Sequence, residues 1–90
     1  MSYGTITVTT ATTLIIAANT KRKSLTLVNT SEALPVYIGP DASITDANAI
    51  PLYETQTRDN SKVISEGYLG PVYGITASST VDIRYWEVLA

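Results

Sequence analysis

Ninety residues, 44% hydrophobic and only 16% charged, supply one core and too little chain for a second. A net charge of −2 with six Lys and Arg in all excludes the clustered positive field that nucleic-acid binding demands. With no Cys and no His, disulfides, thiolate metal sites and imidazole chemistry are excluded as well.

So few charges predict that a partner covers part of the surface. No basic segment followed by an apolar stretch opens the chain, and the longest apolar run, Leu14 to Ala18, is only a strand's length. The expectation is synthesis in a cytoplasm, without a signal peptide or a membrane span.

Thr5-Ile6-Thr7-Val8-Thr9-Thr10 alternates polar and apolar residues, most of them β-branched, and predicts a strand with one wet face. Thr12 to Ala18 predicts a second strand, its Leu14-Ile15-Ile16 run buried on both sides or at a subunit contact. After the Asn19-Thr20 turn and the basic triplet Lys21-Arg22-Lys23, Ser24 to Asn29 forms a third strand, with Leu25 and Leu27 on one face and Thr26 and Val28 on the other. Pro35 to Gly39 follows, and the two together suggest an antiparallel hairpin. Proline suits the first residue of a strand because it donates no ladder hydrogen bond.

Pro40 to Ala49 reads as a loop in which Thr45 or Asp46 caps a single helical turn. Ile50-Pro51-Leu52 re-enters the core, Tyr53 to Lys62 is a polar excursion, and Val63-Ile64 is a short strand. Val72 to Ala77 makes the next strand, ending at Ser78-Ser79. In the last, Thr80 to Val88, Val81, Ile83 and Tyr85 share a dry face opposite Asp82, Arg84 and Trp86. No stretch has helical periodicity. Strands at roughly ten-residue spacing define an all-β fold, a small antiparallel β-sandwich or jelly roll in a single domain. The predicted core is Leu25, Leu27, Val36, Ile38, Val72, Val81 and Ile83.

Serine or cysteine nucleophiles normally act with a neighbouring base, usually histidine, so triad chemistry is excluded and no catalytic residue is assigned. The acids Asp41, Asp46, Glu54, Asp59, Glu66, Asp82 and Glu87 fall almost entirely in inferred loops, and a sandwich of this size offers little concave volume for a glycosidase site. Asp41, Ser43, Asp46 and Asn48 offer oxygen ligands, but their spacing matches no calcium loop and fits turns that bond their own backbone. No metal, cofactor or enzymatic activity is expected.

The triplet Lys21, Arg22 and Lys23 holds half of the basic residues and reads either as a solvated turn or as a steering contact to an acidic partner. Tyr3, Tyr37, Tyr53, Tyr68, Tyr73, Tyr85 and Trp86, in a chain without phenylalanine, suit an interface or a core rim, where one end of a ring is dry and the other wet, better than a sugar-stacking platform. The interface candidates are Ile6, Val8, Leu14, Ile16, Lys21, Arg22, Lys23, Tyr53 and Trp86.

The stretch ANTKRKSLTLVNTSEALPVYIGPDASITDANAIPL and, after the polar excursion, GPVYGITASSTVDIRYWEV resemble a pattern of small tailed-bacteriophage virion proteins. The matching elements are Asn19, Arg22, Ser24 and Leu25, then Asn29 to Ser31, Pro35 to Gly39, Ile50 to Leu52, and Val72 to Arg84, so residues 18 to 88 are covered. These motifs are structural rather than chemical. The resemblance implies a virion structural protein that binds the major capsid protein or another virion protein, first of all a head decoration or cement protein that trimerises over the shell. A tail, neck or fibre-base protein is one alternative, and a carbohydrate-binding adhesion module is another. Residues 1–17 lie outside the pattern and read equally as the first strand of the chain's own sandwich or as an arm docking on a neighbour, ahead of a sandwich domain over 18–90.

Overall fold

The structure, a computed structural model, describes residues 2–55, 61–64 and 68–90. Eight strands follow in chain order: β1 (Ser2–Val8), β2 (Thr13–Ile16), β3 (Arg22–Asn29), β4 (Val36–Gly39), β5 (Ile50–Leu52), β6 (Ser61–Ile64), β7 (Val72–Ile75) and β8 (Val81–Leu89). They form two four-stranded sheets, β1-β8-β3-β6 and β2-β7-β4-β5, and every pairing is antiparallel. First pairs with last, second with seventh, third with sixth and fourth with fifth. This nesting, one long antiparallel ribbon folded over on itself, is the strand order of a jelly roll.

Alternation along each strand turns one row of side chains into the space between the sheets. Val8, Leu25, Leu27, Val81 and Ile83 from the first sheet meet Ile15, Val36, Ile38, Leu52 and Val72 from the second. All seven predicted core residues belong to this cluster. Ile44 is buried too, although it lies in the loop after β4. A Cβ on Gly39 would collide with its Cγ2, so the bare glycine is what lets that loop fold down.

The expected hairpin between the strands ending at Asn29 and Gly39 is not formed. β3 lies between β8 and β6, whereas β4 lies between β7 and β5 in the opposite sheet. The fully buried Asn29 accounts for the crossing. Its amide nitrogen donates to the carbonyls of Leu34 (2.9 Å) and Leu52 (3.0 Å), and its Oδ1 accepts from the Ser31 N–H (2.8 Å). One side chain thus closes the corner after β3 and ties it to β5, offering backbone groups an alternative to a hairpin ladder.

Residues 1–17, read as an own strand or as an arm, contribute β1 and β2 to the chain's own sheets. β1 pairs with β8 from Ser2↔Glu87 to Val8↔Val81, and Val8 and Ile15 lie in the core. The Leu14-Ile15-Ile16 run is divided by a register shift between Leu14 and Ile16, which buries Ile15 and leaves Leu14 exposed. Half of the polar excursion predicted over Tyr53 to Lys62, residues 56–60, lies outside the described residues, and its last two residues, Ser61 and Lys62, open β6.

Candidate functional site

The outer face of the β1-β8-β3-β6 sheet carries the most distinctive surface of the described residues. Because β8 turns Val81, Ile83 and Glu87 inward, Asp82, Arg84, Trp86 and Val88 point out. Register brings Tyr3 of β1 and Thr26 of β3 to either side of Trp86, and Thr5 and Val28 to either side of Arg84. Tyr3 is 82% and Trp86 54% exposed, though directly opposite residues on neighbouring strands have their Cβ atoms only about 5 Å apart. Two large aromatics therefore stand side by side on the sheet, with Arg84 two residues along the same strand. Below them, the Thr7 hydroxyl donates to Asp82 Oδ1 at 2.7 Å.

The other interface candidates are dispersed. Val8 is a correction: it has no exposed surface and serves the core. Ile6 and Ile16 are partly buried and pack against that core, Leu14 is exposed on β2, and Tyr53 is half-buried after β5. Tyr3 is read from the sequence only as one of the aromatics suited to an interface or a core rim, because it precedes the predicted start of the first strand. Extending the alternation two residues back from Thr5 would have placed it on the face of Thr5 and Thr7.

Within the basic triplet, Lys21 and Lys23 are exposed, but Arg22 is a second correction. It points inward at the start of β3, where its Nε donates to Glu87 Oε2 at 2.7 Å, and both side chains are almost wholly buried. Its other nitrogens donate to the carbonyls of Gly70 (2.8 Å), Ala17 (2.8 Å) and Tyr68 (3.3 Å). A guanidinium fans several donors in one plane, and here they are satisfied by one carboxylate and three backbone oxygens. Neither a solvated turn nor a steering contact describes this residue.

The oxygen-rich loop after β4 spends its side chains on its own backbone. Asp41 Oδ1 accepts from the Ser43 N–H (2.9 Å) and hydroxyl (2.6 Å), Asn48 Oδ1 accepts from the Thr45 N–H (2.7 Å), and Thr45 Oγ1 accepts from the Ala47 N–H (3.2 Å). The Ala49 N–H reaches the Thr45 carbonyl, closing the single turn expected there. The two Ser43 bonds, its hydroxyl first, hold the Asp41 carboxyl below its ordinary pKa. Among the described residues no three His, Cys, Asp or Glu gather as a ligand set. Asp59 and Glu66 lie outside the described residues. No helix among them is long and apolar enough to cross a membrane.

Comparison with known protein families, with curated proteins and with solved structures finds no match to this chain. The phage resemblance therefore rests on the motifs quoted above.

Proposed function

We propose that this chain is a non-catalytic structural subunit that docks through the Tyr3–Trp86–Arg84 face onto another protein, and that the partner is a virion shell protein. The observation that carries the reading is the composition of that face. Trp, Tyr and Arg are the residue types in which the energetic centres of protein interfaces are enriched, and here one of each projects from the same face of a sheet. The jelly-roll order adds support by analogy, since virion proteins commonly use it, as do lectins. The motif resemblance favours a head decoration or cement role, with a tail, neck or fibre-base position as the alternative that a low copy number per particle would favour.

Trp86 is the only tryptophan, so its fluorescence reports directly on the face. Adding heads purified from the virus that encodes the chain should shift the emission to the blue as the indole leaves water. Trp86→Ala should weaken cosedimentation with heads by about thirtyfold, corresponding to about 2 kcal/mol for an interface centre. Full binding by Trp86→Ala, or a blue shift with oligosaccharides and none with heads, would overturn the reading, the second outcome in favour of a glycan-binding module.

A further inference from the structure

Each sheet has two edges, and the four edge strands differ in how they discourage pairing. β2 is broken by the register shift between Leu14 and Ile16. β5 has three residues, one of them Pro51, and β6 has four, with Lys62 in its sequence. Irregularity, shortness, proline and lysine are the devices by which sheet edges avoid one another. β1 has none of them. It runs for seven residues, Ser-Tyr-Gly-Thr-Ile-Thr-Val, without a charge, a proline or a break, and among the described residues its strand partner is β8 alone.

We propose that β1 is a dimerisation edge whose occupant is β1 of a second copy of this chain, paired antiparallel about a twofold axis through Thr5. The sequence of the strand selects this partner. Side chains alternate with period two, so only registers that keep inward residues inward are compatible with the core. Of these, the one that sets Thr5 opposite Thr5 pairs all seven residues. It also places Tyr3 opposite Thr7, and Gly4 opposite the half-buried Ile6, on the second copy. Threonine facing threonine is a favourable cross-strand pair, and with no charge on the strand nothing repels. An isologous contact of this kind closes at two copies. The two sheets become one of eight strands, carrying two Tyr3–Trp86 pairs on a single face. A twofold assembly takes the place of the threefold one that the resemblance implies. It concerns the free protein and does not depend on which partner the aromatic face binds.

The twofold axis makes a charge swap decisive. Thr5 is exposed, so Thr5→Lys and Thr5→Glu leave the core untouched, and a thermal melt of each verifies that it is folded beside Arg84. The mass of the free protein is then read by native mass spectrometry and sedimentation. The wild-type chain should run at twice its 9.7 kDa. Each variant alone should run as a monomer, because like charges face each other across the axis. A one-to-one mixture of the two should recover the dimer mass as a heterodimer. A wild-type monomer or trimer at high micromolar concentration would overturn the proposal, and so would folded variants that still self-associate or whose mixture fails to recover the dimer.

Discussion

Arg22 and Glu87 stand 65 positions apart in sequence and meet at 2.7 Å inside the protein, joining the start of β3 to the end of β8. Taking two charges out of water is costly, so such a pair holds only where further hydrogen bonds complete it. Here the guanidinium completes itself on the carbonyls of Ala17, Tyr68 and Gly70. It thereby fixes the segment after β2 and the segment before β7 to the sheet that bears the aromatic face.

This division of labour predicts an asymmetry. Arg22→Met takes the charged partner from the Glu87 carboxylate and a donor from three backbone carbonyls, and should cost about 3–5 kcal/mol, a large share of the stability of a domain this size. Glu87→Gln keeps the shape and an acceptor, and leaves the three carbonyls bonded, so it should cost distinctly less. Urea denaturation of both variants measures the difference. Equal losses would show that the ion pair, and not the carbonyl fan, holds the end of the sandwich.

Ser79, in the turn between β7 and β8, has φ of 60°, and its carbonyl accepts from the Thr76 hydroxyl at 2.8 Å. A side chain in that left-handed region costs about 1–2 kcal/mol, which glycine avoids at an entropic cost of about 0.5–1 kcal/mol. Ser79→Gly keeps the carbonyl and should stabilise the protein by up to about 1 kcal/mol. That raises Tm by about 4–8 °C. Calorimetry checks it, and a lowered Tm would mean the serine side chain contributes something the turn geometry does not show.

The strands and their inward faces were legible because they depend on local alternation. Leu25, Leu27, Val81 and Ile83 could be placed from neighbours two residues away. Which strands pair was not legible, since Asn29 and Arg22 act through carbonyls of Leu34, Leu52, Ala17, Tyr68 and Gly70 whose positions only the tertiary fold defines. Arg22 was hidden for a further reason. Between two lysines it has the composition of a solvated turn, and strict alternation back from Leu27 and Leu25 would point it outward; the register shift between Arg22 and Ser24 turns it inward. Half of the aromatic face was visible in Trp86, while Tyr3 needed the register of β1 on β8.

Gly74 lies in β7 and faces the core between the two sheets. A Cβ there would stand 2.9 Å from Ile15 Cδ1, 3.3 Å from Val8 Cγ2 and 3.4 Å from Val36 Cγ1. The isoleucine tip can yield by changing rotamer, but the two valines are stiff at χ1 and are held in the centre of the core. Gly74→Ala should therefore cost about 1–3 kcal/mol by overpacking, despite the higher strand propensity of alanine. An unchanged urea midpoint would show that the core has slack at this point.

Asp41 gives the loop after β4 a dependence on pH. The Ser43 hydroxyl and N–H both bond its carboxylate oxygen, favour the ionised form and hold the pKa below the ordinary value of 3.8. A carboxyl whose pKa is lower folded than unfolded contributes its stability in full above the unfolded value. That contribution is lost as pH falls through the folded one. Acidification below about pH 4 should therefore loosen the turn after β4 by protonating Asp41. Ser43→Ala removes the larger of the two causes, the hydroxyl bond, and keeps the backbone bond. The Asp41 titration, followed by carboxyl-carbon chemical shifts, should move upward in that variant without reaching the unfolded value. A midpoint unmoved by Ser43→Ala would show that the hydroxyl does not bond the carboxylate in solution.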